Sequence, residues 1–185
     1  MGSDHTYPEL IQFIKENVLQ TQGPYQLVSG ASSDYYLDGK QATFHPKGIR
    51  LVADAILDEI CFLGLSPDSI GGMDMGATPI VSAIALRSND IGLPVRTFVV
   101  RKQAKGHGTK KKIEGLFKKG DEVVMVDDVI TTGGSLLQAI QTIKEAGGKV
   151  ILAISIIDRD GGGQEAFNLW GIPYRPLIKI EELLP

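Results

Sequence analysis

Residues 123–135, VVMVDDVITTGGS, constrain the fold of this chain more than any other stretch. Four apolar residues run straight into the adjacent pair Asp127 and Asp128, and the chain then passes through Thr131, Thr132, Gly133, Gly134 and Ser135 into a helix-forming segment. Unbroken apolar positions suit a strand covered on both faces, as in a parallel sheet flanked by helices. Ligands of open α/β sheets collect at the carboxyl ends of such strands. There two carboxylates suit polyol hydroxyls or a metal, while residues 131–135 can turn backbone N–H groups toward a phosphate. Two common nucleotide loops are excluded. No Lys follows Gly134, so this is not a Walker A loop, and no G-x-G-x-x-G follows a strand.

The rest of the chain alternates strand-like and helix-like segments, which predicts an α/β fold with a parallel sheet. Leu10, Ile11, Phe13, Ile14 and Val18 recur at helical spacing after Pro8. Residues 26–28 and 35–37 predict a short hairpin-like pair across Ser29 and Gly30. Helices are expected at 49–63, at 80–86 behind Pro79, from Leu136 to a stop at Gly147 and Gly148, and at 164–169. Strands are expected at 69–72, 95–100, 150–157 and 175–180. No repeat, low-complexity tract or linker interrupts the chain, so residues 1–185 are expected to form one domain.

Composition narrows the class. With 43% hydrophobic and 22% charged residues the chain is ordinary for a soluble globular protein. No apolar run approaches about 18 residues, and the first residues lack a signal-peptide pattern, so no membrane partner and a cytoplasmic location are expected. The single cysteine, Cys61, excludes an internal disulfide and lies in an apolar helical stretch, where it is expected in the core. His5, His45 and His107 show no metal-ligand spacing. The net charge of −3 hides an asymmetry: between Arg101 and Lys119 eight Lys or Arg residues stand against one acid, Glu114. Such a block reads as a solvated face, a nucleic-acid patch or a mobile loop that closes over a polyanion. The acidic balance elsewhere argues against nucleic acid as a partner.

The 123–135 segment resembles the phosphoribosyl pyrophosphate (PRPP) loop of the type I phosphoribosyltransferases. The resemblance implies that fold: a central, mainly parallel sheet flanked by helices, with a small N-terminal hood at about residues 20–45. It also implies that Asp127 and Asp128 contact the ribose hydroxyls and that residues 131–135 hold the 5-phosphate. The run Arg101-Lys102-Gln103-Ala104-Lys105-Gly106-His107-Gly108 resembles the more specific R-K-x-x-K-x-H-G signature of the orotate branch of this family. That likeness makes Arg101, Lys102, Lys105 and His107 pyrophosphate contacts, with Lys105 and then His107 the expected catalytic groups beside Asp128. It further implies a homodimer whose basic loop reaches the neighbouring subunit's site. Lys110, Lys111 and Lys112 remain a solvated basic face.

Further segments resemble the same branch. Residues 27–30 (LVSG) with 34–38 (DYYLD) are similar to its L-x-S-G…Y-Y-x-D segment, which places Tyr35 and Tyr36 against the base, although Val28 stands where part of the family has Lys. Residues 71–79 (GGMDMGATP) are similar to its pyrophosphate loop. Asp158-Arg159 is similar to its D-R pair, and a guanidinium fork suits the carboxylate that orotate carries and uracil lacks. Thr131 and Arg159 are thus expected on orotate. Mg²⁺ is the implied cofactor, held mainly by PRPP and water with no direct protein ligand. The activity implied is phosphoribosyl transfer from PRPP to orotate. A purine phosphoribosyltransferase, and a PRPP-sensing regulator that binds nucleic acid, remain the alternatives.

Overall fold

The computed structural model describes residues 5–26, 32–103 and 111–184. Helix α1 (Pro8–Asn17) is followed by four two-residue strands, β1 (Leu19–Gln20), β2 (Tyr25–Gln26), β3 (Ser32–Ser33) and β4 (Tyr36–Leu37), and by the short helix α2 (Lys40–Thr43). The main body then runs α3 (Pro46–Phe62), β5 (Ser69–Met73), α4 (Ala77–Asp90), β6 (Arg96–Val100), β7 (Ile113–Gly115), β8 (Glu122–Ile130), α5 (Gly134–Glu145), β9 (Lys149–Asp158), α6 (Gly163–Leu169) and β10 (Tyr174–Lys179). Six of these strands form one sheet in the order β10-β9-β8-β5-β6-β7. Every neighbouring pair is parallel except β6 and β7 at the edge.

The continuous apolar character of β8 has the expected cause. Val124 and Val126 pack into a cluster with α1, α3 and α4, whereas Val123 and Met125 pack into a second cluster with α5 and Phe167 of α6. Both faces of the strand are therefore dry, and neither can carry alternating polar residues. β9 repeats the pattern, with Leu152 and Ile154 in the first cluster and Ala153 in the second. Removing a fully buried Ile or Leu from such a core costs about 2–5 kcal/mol. The carboxyl ends of β5, β6, β8 and β9 consequently share one edge, where the acid pair sits.

Four expectations need correction. The pair 26–28 with 35–37 is not what forms: Gln26 pairs with Ser32, while Tyr36 and Leu37 pair with Gln20 and Leu19. Leu37 is only 6% exposed, and pairing beside Leu19 buries it in the first cluster, which outweighs the local turn signal. Residues 27–31 lie outside the described residues. Cys61 is exposed rather than in the core, because it follows the buried Ile60 by one helical position and turns out of the packed face in the last turn of α3. The aspartates lie inside β8, not after it, since the ladder with β9 continues to Ile130. Finally, α4 begins at Ala77, ahead of Pro79, and runs to Asp90.

Strand β7 was not foreseen. It folds back on β6 so that Val100 pairs with Ile113, and the Arg101 N–H donates to the Lys112 carbonyl at 2.8 Å. The basic segment thus leaves and re-enters the sheet at neighbouring points. His45, one of the scattered histidines, caps α3, its Nδ1 accepting from the N–H groups of Lys47 and Gly48. No helix among the described residues is long and apolar enough to cross a membrane.

Candidate active site

A cleft of about 450 Å³ opens at the carboxyl edge of the sheet, a size suited to a phosphorylated sugar. Its lining includes Asp127, Asp128 and residues 129–136 from β8 and the turn into α5, Met73, Asp74, Met75 and Gly76 from the turn after β5, Lys102 beyond β6, and Lys40 from α2. The sheet order explains the gathering. β5 and β8 are neighbours, so the turns that follow them face each other, and β6 brings Lys102 to the next position.

The side of the cleft formed by residues 131–135 is built mostly by backbone. Gly133 stands at the N-cap of α5 with φ 76°, a left-handed conformation that a side chain would strain, and no side chain caps the helix. The first N–H groups of α5 are therefore available at the cleft, with the positive end of the helix behind them. The Asp74–Met75 peptide on the opposing turn is cis. Asp74 accepts a 2.7 Å hydrogen bond from the Thr78 hydroxyl, and its own N–H donates to the Val100 carbonyl, which fixes that turn against β6.

The acid pair is crowded from two sides. A Cβ on Gly76 would fall 2.7 Å from Asp127 Oδ1 and 2.9 Å from Asp128 Oδ1. One on Gly39 would fall 2.8 Å from Asp128 Oδ2. Only glycine permits either approach. Asp127 Oδ1 accepts from the Asp128 N–H at 3.0 Å, and Asp128 Oδ1 from the Val129 N–H at 2.8 Å. Burial, reinforced by the neighbouring Asp128 carboxylate, pushes the Asp127 pKa up to about 7, with Lys102 pulling in the opposite direction. A cation or hydroxyl donors placed at this pair would favour its ionised form.

Arg159 follows β9 and is tied to β8 by its N–H, which donates to the Ile130 carbonyl at 2.8 Å. Its guanidinium lies over the Tyr35 ring, 5.2 Å from the centroid. A hood residue and a strand-end residue are thereby joined by a cation–π contact. Tyr36 is exposed and lies against Tyr25, with ring centroids 5.9 Å apart.

The structure brings Lys102, Asp127, Asp128, Thr131, Thr132, Gly133, Gly134 and Ser135 into one cleft. Tyr35 and Arg159 meet each other but are not in its lining. Arg101 is absent from the lining too, its Nε lying 3.4 Å from Glu114 across the β6–β7 pair. Lys105 and His107 lie outside the described residues, as do Val28, Ser29 and Gly30. Lys40 is a cleft residue that the sequence reading missed; its only signal there is its place directly after Asp38 and Gly39.

Comparison with known proteins assigns the chain to a family. The profile of the phosphoribosyl transferase domain matches residues 39–170. An orotate phosphoribosyltransferase of Aquifex aeolicus is 41% identical over 178 residues, covering 95% of this chain and 96% of that protein. The chain belongs to the orotate phosphoribosyltransferase family. Among solved structures, Mycobacterium tuberculosis orotate phosphoribosyltransferase bound to Fe(III) dicitrate superposes with a TM-score of 0.83 at 32% identity, over 95% of this chain and 97% of that one. The same enzyme in complex with PRPP gives a TM-score of 0.79 at 28% identity, over 95% and 96% of the two chains. The central sheet, mostly parallel and flanked by helices, is the type I phosphoribosyltransferase fold.

Proposed function

We propose that this protein transfers the 5-phosphoribosyl group from PRPP to orotate, releasing pyrophosphate and forming orotidine 5-phosphate, the step that commits orotate to UMP in pyrimidine biosynthesis. The observation that carries the reading is the single cleft that joins the acid pair, the 131–135 turn and Lys102. Residues 131–135 and the first turn of α5 hold the 5-phosphate. Asp127 and Asp128 accept hydrogen bonds from the ribose hydroxyls, and the 73–76 turn with Lys102 faces the pyrophosphate.

Orotate loses its N–H proton to solvent before attack, so the chain need not supply a general base. Its ring nitrogen then bonds to C1 of the ribose with inversion while the C1–O bond to pyrophosphate breaks. Charge accumulates on the leaving oxygen in the oxocarbenium-like transition state, which cations at that point stabilise more than the ground state. Lys105 and His107 are assigned this role on the resemblance of the 101–108 run, with Arg101 joining them only when it leaves Glu114. Arg159 receives the orotate carboxylate, Tyr35 and Tyr36 border the base from the hood, and Thr131 reaches it from the cradle. A purine base offers no carboxylate for Arg159.

The family generally uses Mg²⁺ with PRPP. Oxygen donors of the acid pair suit a hard divalent cation, and among the described residues no group of three or more His, Cys, Asp or Glu is poised to cage one. Asp74 is already engaged by Thr78. Asp127 and Asp128 would hold the ribose hydroxyls, and Mg²⁺ held mainly by PRPP and water would supply neutralising charge to the leaving pyrophosphate. We further place the whole chain in one catalytic domain, acting as a homodimer whose basic loop serves the partner's cleft.

The deciding experiment follows orotate absorbance with PRPP and Mg²⁺ present or omitted singly. Consumption should require both, and consumption of adenine or hypoxanthine in place of orotate would refute the base assignment. Lys105→Ala should lower kcat by roughly 100-fold or more with little change in orotate binding, the scale of losing one electrostatic contact to the transition state. Unchanged turnover would remove Lys105 from the mechanism.

A further inference from the structure

Lys40 belongs to no motif read from the sequence, yet it lines the cleft. Its position follows from Gly39, whose missing side chain lets the hood settle onto the Asp128 carboxylate. A Cβ there would lie 2.8 Å from Asp128 Oδ2 and 3.0 Å from Val129 Cγ2. The other oxygen of the same carboxylate faces Gly76 in the turn after β5. Asp128 is therefore held between the hood and that turn, and Lys40 is the next residue out from the contact.

The charges of the cleft make this position consequential. Among the described residues that line it, the only cations are Lys40 and Lys102, against Asp74, Asp127 and Asp128. The 131–135 turn offers backbone N–H groups and hydroxyls but no cationic side chain. A ligand with several phosphate charges must find its cationic side chains on the other walls.

Among the described residues, no other contact accounts for a lysine here. Its contact with Asp38 is 3.8 Å long with the lysine side chain 60% exposed, an arrangement that contributes little. Asp38 is otherwise engaged by the Lys40 N–H and the Gln41 side chain. A cation in the first turn of α2 also gains nothing from the helix dipole, which favours acids there.

We infer that Lys40 is a pyrophosphate-contacting residue, a cation carried by the hood that meets the leaving group of PRPP beside Asp128 and the 73–76 turn. The inference rests on the proposed reaction. It also gives the hood a part in binding the donor, beyond covering the base. The loose Asp38 contact leaves the Lys40 ammonium free to turn toward incoming phosphates.

The test is calorimetric titration of the full-length protein with Mg²⁺ and, separately, pyrophosphate, PRPP and ribose 5-phosphate. Lys40→Ala should weaken pyrophosphate and PRPP by about tenfold, the scale of one lost charge-assisted contact. Ribose 5-phosphate affinity and the orotate KM should stay within about twofold, and Lys40→Arg should restore most of the loss. Unchanged pyrophosphate affinity in Lys40→Ala, beside a wild-type protein that binds it, overturns this inference alone. An equal loss for ribose 5-phosphate overturns it too, because the hood's folding would then be at fault. A wild-type protein that binds neither pyrophosphate nor PRPP overturns the proposed function and this inference together.

Discussion

The proposed donor cradle and the proposed base-recognition corner of this site are built by opposite strategies. The cradle is one continuous stretch, β8 through the 131–135 turn into α5, and its main instruments are backbone N–H groups and the close approaches that glycines allow. The corner joins Tyr35 of the hood to Arg159 beyond β9, residues far apart in sequence whose working parts are side chains. A backbone-built site is hard to alter without deforming the fold, whereas a side-chain-built one changes its ligand with one substitution. The cradle accordingly suits what every phosphoribosyltransferase must hold, and the corner suits what distinguishes one such enzyme from another.

The largest effect should come from filling a close approach in the cradle. Gly76→Val would drive a side chain into both carboxylates, and PRPP binding by titration should fall by more than about 100-fold while the far-ultraviolet circular dichroism is unchanged, since the clash is local. Near-normal binding would mean that the 73–76 turn is not fixed against the acid pair. Next, Arg159→Ala should raise the orotate KM by roughly 10- to 100-fold and leave the PRPP KM alone, in keeping with about 1.5–3 kcal/mol for hydrogen bonds to a charged group. Equal losses for both substrates would erase the distinction between cradle and corner.

A smaller effect links the cradle to pH. The pKa of Asp127 is about 7 in the folded chain against an ordinary 3.8, so the folded state retains a proton that the unfolded chain releases. Stability tied to this group is therefore present below the ordinary value and lost as pH rises through about 7. Asp127→Asn should raise the melting temperature at pH 8 by a few degrees, do nothing comparable at pH 4, and weaken PRPP binding. A lower melting temperature at pH 8 would show that Asp128 and its surroundings do not oppose the charge. The smallest expected effect is in the corner. Tyr35→Leu should raise the orotate KM about threefold by releasing the guanidinium, and Tyr35→Phe, which keeps the ring, should not.

How far these regions were legible in the sequence follows the same division. The β8 segment announced itself because strand, acids, turn and helix are contiguous, and local order is all that such a site needs. The parallel sheet was equally readable from apolar runs such as residues 150–157, although their ends shifted where ladder pairing outlasted the apolar signal, as at Asp127 and Asp128. Contacts between distant segments were not readable. Gly39 against Asp128, Lys40 in the cleft and Tyr35 beneath Arg159 depend on how the hood settles on the sheet. The same holds for Glu59, nearly buried in α3, which accepts from the Tyr7 hydroxyl at 2.7 Å and from Arg175 Nε at 3.0 Å. Glu59 beside Asp58 in an amphipathic helix gives no hint of partners on α1's flank and on β10.

The pairing of β6 with β7 has a bearing on how the family can vary. Because the Arg101 N–H meets the Lys112 carbonyl, the two ends of the basic segment are already gathered at the sheet edge, whatever lies between them. Chain added or removed there changes the closure entropy only as the logarithm of its length, about 0.6 kcal/mol for each doubling. The segment proposed to receive the leaving group is in that sense an interchangeable cassette. Its length, charge and timing are open to change while the sheet that carries the donor cradle stays as it is.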